Sequence, residues 1–126
     1  MRRMMRNGRG PWLALVMAAL GAAVPLQAQA PSPLAGTSWR LVELNGERVV
    51  PGGTALTLQF AANEPSVSGY GGCNQFSGPY AQNGASLQLG PLASTRRACE
   101  DPALNTQETA YFQALESTTR YSIERG

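Results

Sequence analysis

From residue 36 onward, apolar and polar residues alternate in short runs. Leu56, Leu58 and Phe60 alternate with Thr57 and Gln59, and Leu87 and Leu89 with Ser86 and Gln88. A period of two marks strands that turn one face to a core. By the same rule Trp39 and Leu41 share one face and Arg40 and Val42 the other, which predicts a strand over 37–44. Asn45-Gly46 follows directly. Both residues tolerate the positive φ of a type I′ turn, so a hairpin with a return strand over 47–50 is expected. Further strands are expected over 66–70 and 76–80, then a second hairpin with Asn83-Gly84 at its tip, then an extended piece over 92–99.

The period then changes. Leu104, Tyr111, Phe112 and Leu115 fall on one stripe at helical spacing, predicting one amphipathic helix over about 103–117. Asp101-Pro102 is a start signal, because aspartate caps free amides and proline suits the first turn. Asn105 with Glu108 three residues on offers a second start, in capping-box form. Residues 118–123 are β-rich and read as a last strand. Hairpin connections favour antiparallel pairing. The expected class is α+β, mostly β: a partly open antiparallel β-barrel or curved sheet with one helix in the C-terminal half.

The first 30 residues read as a cleavable signal peptide. Arg2, Arg3, Arg6 and Arg9 precede an apolar run from Leu13 to Leu26, and Ala28-Gln29-Ala30 has the small-x-small form of a cleavage site. The run is shorter than the roughly 18 apolar residues of a spanning helix and is broken by Pro25, so no transmembrane anchor is expected after processing. Residues 31–35 form a short linker and 36–126 the domain. Removing the signal changes the charge. The remaining 96 residues carry six arginines against eight acids, a formal −2, in place of the precursor's +2. No basic patch remains for a nucleic-acid partner. The expected location is periplasmic or secreted.

Candidate chemistry is thin. The chain has no histidine and no lysine, so a serine or cysteine nucleophile lacks its usual base. Cys73 and Cys99 are the only cysteines. In an exported protein a disulfide between them is the simplest reading, with two free thiols as the alternative. Two cysteines without histidine fall short of a zinc site, and one aspartate falls short of a calcium loop. No cofactor is expected, and no enzymatic activity. Gly69-Tyr70-Gly71-Gly72 is not followed by a helix, and Asn74 stands where a dinucleotide loop needs glycine. Gly69 and Gly72 are therefore read as shaping a sheet corner. Asn74 is expected to hydrogen-bond its own turn, with ligand binding as the alternative. Tyr80 is expected as a sheet aromatic with its hydroxyl at the edge. Arg96-Arg97 is expected to meet Glu100 or solvent.

Val67 to Tyr80, then Leu87-Gln88-Leu89, then Leu92 to Cys99, together resemble the META domain, the family of the heat-shock protein HslJ. The specific element is Gly-Cys-Asn-x-Phe-x-Gly-x-Tyr, here Gly72, Cys73, Asn74, Phe76, Gly78 and Tyr80, with a later Ala98-Cys99. Gly36 to Trp39, Thr95 and the helix carrying Glu108, Tyr111, Phe112 and Leu115 fit as well. The resemblance implies a small open barrel with one helix, an envelope location, and motif residues that are architectural. It implies roles in heat response, novobiocin tolerance or, in parasites, virulence and secretion, with no catalytic activity. Two departures stand out. Arg97 replaces a usually apolar residue, often methionine. META domains also continue past the strand near Tyr121, so this chain is expected to be a C-terminally shortened version that leaves a sheet edge open. An envelope protein docking on that edge as an inhibitor or partner, or a small apolar ligand carried in the barrel mouth, are the alternative functions.

Overall fold

The computed structural model describes residues 32–51 and 53–124; the expected signal segment lies outside the described residues. Among the described residues, eight strands and one helix follow in order: β1 (Ser38–Arg40), β2 (Glu43–Leu44), β3 (Glu47–Arg48), β4 (Thr57–Phe60), β5 (Ser66–Tyr70), β6 (Gln75–Asn83), β7 (Ser86–Leu89), β8 (Ala93–Ser94) and α1 (Pro102–Glu116). Six strands form one antiparallel sheet in the order β1-β4-β5-β6-β7, with β8 also on β6. The sheet is open and strongly curled, a half-barrel with a single helix among the described residues, as the alternating pattern predicts.

β6 is the spine of the sheet. Its first half pairs β5 through the ladder from Ser66↔Pro79 to Tyr70↔Gln75, and its second half pairs β7 from Tyr80↔Leu89 to Asn83↔Ser86. β8 returns along β6 at Phe76↔Ser94 and Ser77↔Ala93, one residue out of step with β7. The extra residue lies around Pro91, as in a bulge. Gly78 faces it and must be glycine: a Cβ there would sit 2.6 Å from the Pro91 carbonyl oxygen.

The core lies on one face. Phe60, Val67, Phe76, Leu87 and Leu89 point inward by the period of the strands, and Tyr111 and Leu115 close over them from α1. Phe76 meets the rings of Tyr111 and Phe112 edge-on, with centroids 5.8 and 5.3 Å apart. Tyr80 meets Phe60 edge-on at 4.9 Å. Such pairs are worth about 1 kcal/mol beyond their buried area.

Local signals are realised in detail at some positions and shifted at others. Asn45 and Gly46 have φ of 54° and 86° between the paired Leu44 and Glu47, the I′ geometry expected. Asp101 caps α1, its carboxylate accepting from Ala103 N at 2.9 Å, with Pro102 in the first turn. The strand expected over 37–44 is instead two, because β1 joins the main sheet while β2 leaves it to form a separate hairpin with β3. The tip of the second hairpin is Gly84-Ala85 and not Asn83-Gly84, since Asn83 still pairs with Ser86. The strand expected over 118–123 is reduced to a bridge between Arg120 and Ser86, flanked by bonds from Leu87 N to Thr119 O and from Tyr121 N to Ala85 O. Leu34, within the segment expected as a linker, is 3% exposed and belongs to the core. A turn through Ser32 and Thr37 fixes it there. Among the described residues no helix is long and apolar enough to cross a membrane.

The Tyr111 Oη–H donates to Thr57 O at 2.8 Å, tying α1 to β4. Burial pushes its pKa above the usual tyrosine value. The folded state therefore favours the neutral phenol. This contribution is whole below the unfolded-state value of about 10 and is lost as pH rises towards the raised folded value. Chemical denaturation is expected to show stability falling above about pH 10, and Tyr111→Phe to remove part of that fall while costing about 1 kcal/mol at neutral pH.

Candidate functional site

Between β5 and β6 the chain turns through Gly71 to Asn74. The Gly71 N–H donates to Asn74 O at 2.8 Å, and Gly72 takes a φ of 113°. That value lies in a region open to glycine and strained for other residues. The corner presents the amides of Cys73 and Asn74 to the second turn of α1, where Glu108 stands.

The Glu108 carboxylate accepts three hydrogen bonds there. Its Oε2 accepts from Cys73 N at 2.9 Å and Asn74 N at 2.7 Å, and its Oε1 accepts from Asn74 Nδ2 at 2.6 Å. Glu108 and Asn74 are each 6% exposed. A buried carboxylate is costly unless its lone pairs are met by donors. Here backbone and side-chain N–H groups meet them. Gly71 lets the helix come this close, because a Cβ at that position would lie 2.8 Å from Glu108 Oε2 and 2.7 Å from the Phe112 ring.

Asn74 carries the connection onward. Its Nδ2 also donates to Arg97 O at 2.8 Å, and its Oδ1 accepts from Arg97 N at 2.6 Å and from Thr95 Oγ1 at 2.8 Å. Both amide protons and both carbonyl lone pairs are thus engaged. The Gln75 N–H donates to Thr95 Oγ1 at 3.2 Å. One turn before Glu108, Asn105 grips Cys99: its Oδ1 accepts from Cys99 N at 2.9 Å and its Nδ2 donates to Cys99 O at 3.1 Å. Cys73 and Cys99 are joined in a disulfide, with Cα atoms 5.4 Å apart.

The sequence-selected residues divide into two groups. Cys73, Asn74, Thr95 and Cys99 come together with Glu108 in one cluster. Gly69, Phe76, Gly78 and Tyr80 serve the sheet. Gly69 lies under the Phe76 ring, where a Cβ would come within 2.7 Å of Cζ. Two expectations change. Asn74 does not bond its own turn through its side chain but bridges to residues 95–97 and to α1. Asn105 and Glu108 do not start a helix, because the start is already capped at Asp101 and both side chains are turned to the corner. Arg97 and Arg96 are exposed, and Arg97 joins the cluster through its backbone alone, so a charged side chain is tolerated there. Gly71 was not singled out from the sequence, and only the approach of Glu108 reveals its role.

Chemically, the cluster is a closed set of donors and acceptors joining three segments. Two surface depressions of about 620 and 590 Å³ lie on the sheet instead and are lined by neither Glu108 nor Asn74.

The sequence model of one family, the META domain, matches residues 32–126. A solved NMR structure of a protein from Burkholderia xenovorans is similar at 32% identity and a TM-score of 0.54, covering 86% of this chain and 77% of that one. A second NMR structure is similar at 25% identity and a TM-score of 0.61, covering 76% of this chain and 80% of the other. No curated protein matches the chain.

Two predictions follow from the cluster's geometry. Asn74→Asp keeps the shape but puts an oxygen against Glu108 Oε1 or Arg97 O, so urea denaturation should place it at least as low in stability as Asn74→Ala, each about 3 kcal/mol below wild type. Reducing the disulfide under native conditions should cost roughly 3.5 kcal/mol, the chain-entropy value for the loop it closes, read as a lower denaturation midpoint.

Proposed function

The chain belongs to the META domain family, and from that premise we propose that it is an exported, non-catalytic domain of the cell envelope with a maintenance role under heat or antibiotic stress. The observation that carries the non-catalytic part is the closure of the Glu108–Asn74 cluster. The polar side chains of the family motif are engaged with one another and with backbone, at 2.6–2.9 Å around Glu108. A general base needs a lone pair within reach of a substrate, and the cluster holds Glu108 away from one. Export is supported by the charge and hydropathy pattern of residues 1–30 and by the Cys73–Cys99 disulfide, which suits an oxidising compartment. The stress role rests on the resemblance to the HslJ family.

A second reading is favoured by one edge of the sheet. β1 pairs only with β4 among the described residues, and Trp39 and Val42 nearby are 40% and 65% exposed. An extended segment of an envelope protein could add there as a further strand. The carrier of a small apolar ligand has less support, since Phe60, Phe76 and Tyr111 occupy the core.

Expression of the full chain in its native host, followed by fractionation, should recover a shortened product outside the cytoplasm with no reactive thiol. Deleting the gene should lower survival at elevated temperature or in novobiocin, with restoration by the wild-type copy. Unchanged growth under both stresses would sink the maintenance role, and a cytoplasmic, reduced product would sink export.

A further inference from the structure

The face of the sheet opposite the core has its own order. The pairing register aligns Ser38, Gln59, Ser68 and Ser77 in one row across β1, β4, β5 and β6. Beside it runs a second row in which Thr57 meets Tyr70, its Oγ1 accepting from Tyr70 N at 3.1 Å, and Tyr70 pairs with Gln75. These residues alternate with Leu58, Val67 and Phe76, so they project away from the core. Neighbouring rungs of each row are about 4.8 Å apart, the spacing of paired strands.

This face is not flat. The two depressions of about 620 and 590 Å³ share Gln59, Ser68 and Ser77, and so form one trough across β4, β5 and β6. Among the described residues, Glu64, at one end, is the only charged one in the lining. The rest of the polar lining is hydroxyl and carboxamide, with the half-buried ring of Tyr70 as its one exposed aromatic surface. Among the described residues, the row's side chains engage each other only through a long contact of 3.5 Å from Ser68 Oγ to Gln59 Oε1.

We propose that this trough binds a neutral glycan chain. Hydroxyls and carboxamides both donate and accept, as sugar hydroxyls and N-acetyl groups do. Their repeat across the strands is close to the length of one pyranose unit, so successive sugars can meet successive rungs. The Tyr70 ring offers a flat surface for the apolar face of a sugar. An anionic polymer would need several cations along its length; among the described residues the lining holds none, and Arg40, opposite Thr57 on β1, is a single cation in register beyond its edge. A peptide adding by strand pairing needs a free edge, whereas this trough crosses strands whose backbones are already paired to each other. The inference rests on the trough alone and not on the export reading.

Titrating the purified, oxidised protein with β-1,4-linked hexasaccharides of N-acetylglucosamine and of glucose, followed by NMR, tests it. At least one should give saturable shifts centred on Gln59, Ser68, Tyr70 and Ser77. The double substitution Gln59→Ala and Ser77→Ala, at exposed positions, should weaken binding about tenfold and leave the thermal midpoint unchanged. Tyr70→Phe, which keeps the ring, should weaken it less. The proposal is overturned if neither sugar gives saturable shifts, if the shifts lie off the trough, or if a neutral Ser/Gly peptide of similar length shifts the same residues equally.

Discussion

One buried carboxylate sets the geometry of this domain. Among the described residues no cation pairs with Glu108; three N–H groups at 2.6–2.9 Å take the place of one. Moving an ion of this kind out of water costs several kcal/mol, and imperfect geometry does not recover that cost. The arrangement is therefore stringent. The rotation of α1 must aim Glu108 at the corner, the corner must present two successive amides, and Gly71 must let the two meet. Once these are fixed, Tyr111 and Leu115 face the sheet, and the aromatic contacts with Phe76 follow. Hydrophobic burial supplies the larger driving force, but it is non-directional. The carboxylate selects one orientation of the helix among those that would bury the same stripe.

The disulfide and the hydrogen-bonded cluster act at the same place on different states. Joining Cys73 to Cys99 restricts the unfolded chain by closing the intervening loop. The bonds made by Asn74, Asn105 and Glu108 exist in the folded chain and favour it directly. Asn105 holds both backbone groups of Cys99, while Glu108 and the disulfide hold Cys73. Neither restraint makes the other redundant. Covalent closure brings residues 73 and 99 near each other, and the cluster fixes their orientation relative to α1. A chain of bonds through one asparagine is also mutually polarised, so it loses more than one bond's worth when any member is removed.

What the sequence made legible was local. The I′ turn at Asn45-Gly46, the Asp101 cap and the inward set of Leu56, Phe60, Leu87 and Leu89 each depend on residues within a few positions of one another. The disulfide was legible because only two cysteines exist. The roles of Asn74 and Glu108 were not. Their spacing of 34 residues carries no periodic signal, and each has a common local use, as a turn asparagine or as the acid of a capping box, that accounts for it without any distant partner. The bulge at Pro91 and the weakened final strand were hidden for the same reason: both are set by what β6 and β7 already pair with. The polar trough was present as outward-facing residues, but only the register of four strands shows that they line up in rows.

The family motif and the surface available to a ligand are thus on different parts of the molecule. Gly71, Cys73, Asn74 and Phe76 face α1 and the core, with the polar groups of Cys73 and Asn74 matched inside the protein; Ser38, Gln59, Ser68, Gln75 and Ser77 face outward on the opposite side of the same sheet. The separation has a consequence for interpreting variation. A change in the corner removes a buried bond or a close approach, so it alters activity by lowering the folded population. A change at an exposed row position leaves the folded population nearly untouched, so any loss of activity there belongs to recognition. The corner can therefore keep one sequence pattern in proteins that bind different things, because it specifies how the sheet is held. The composition of the outward rows decides what the sheet meets.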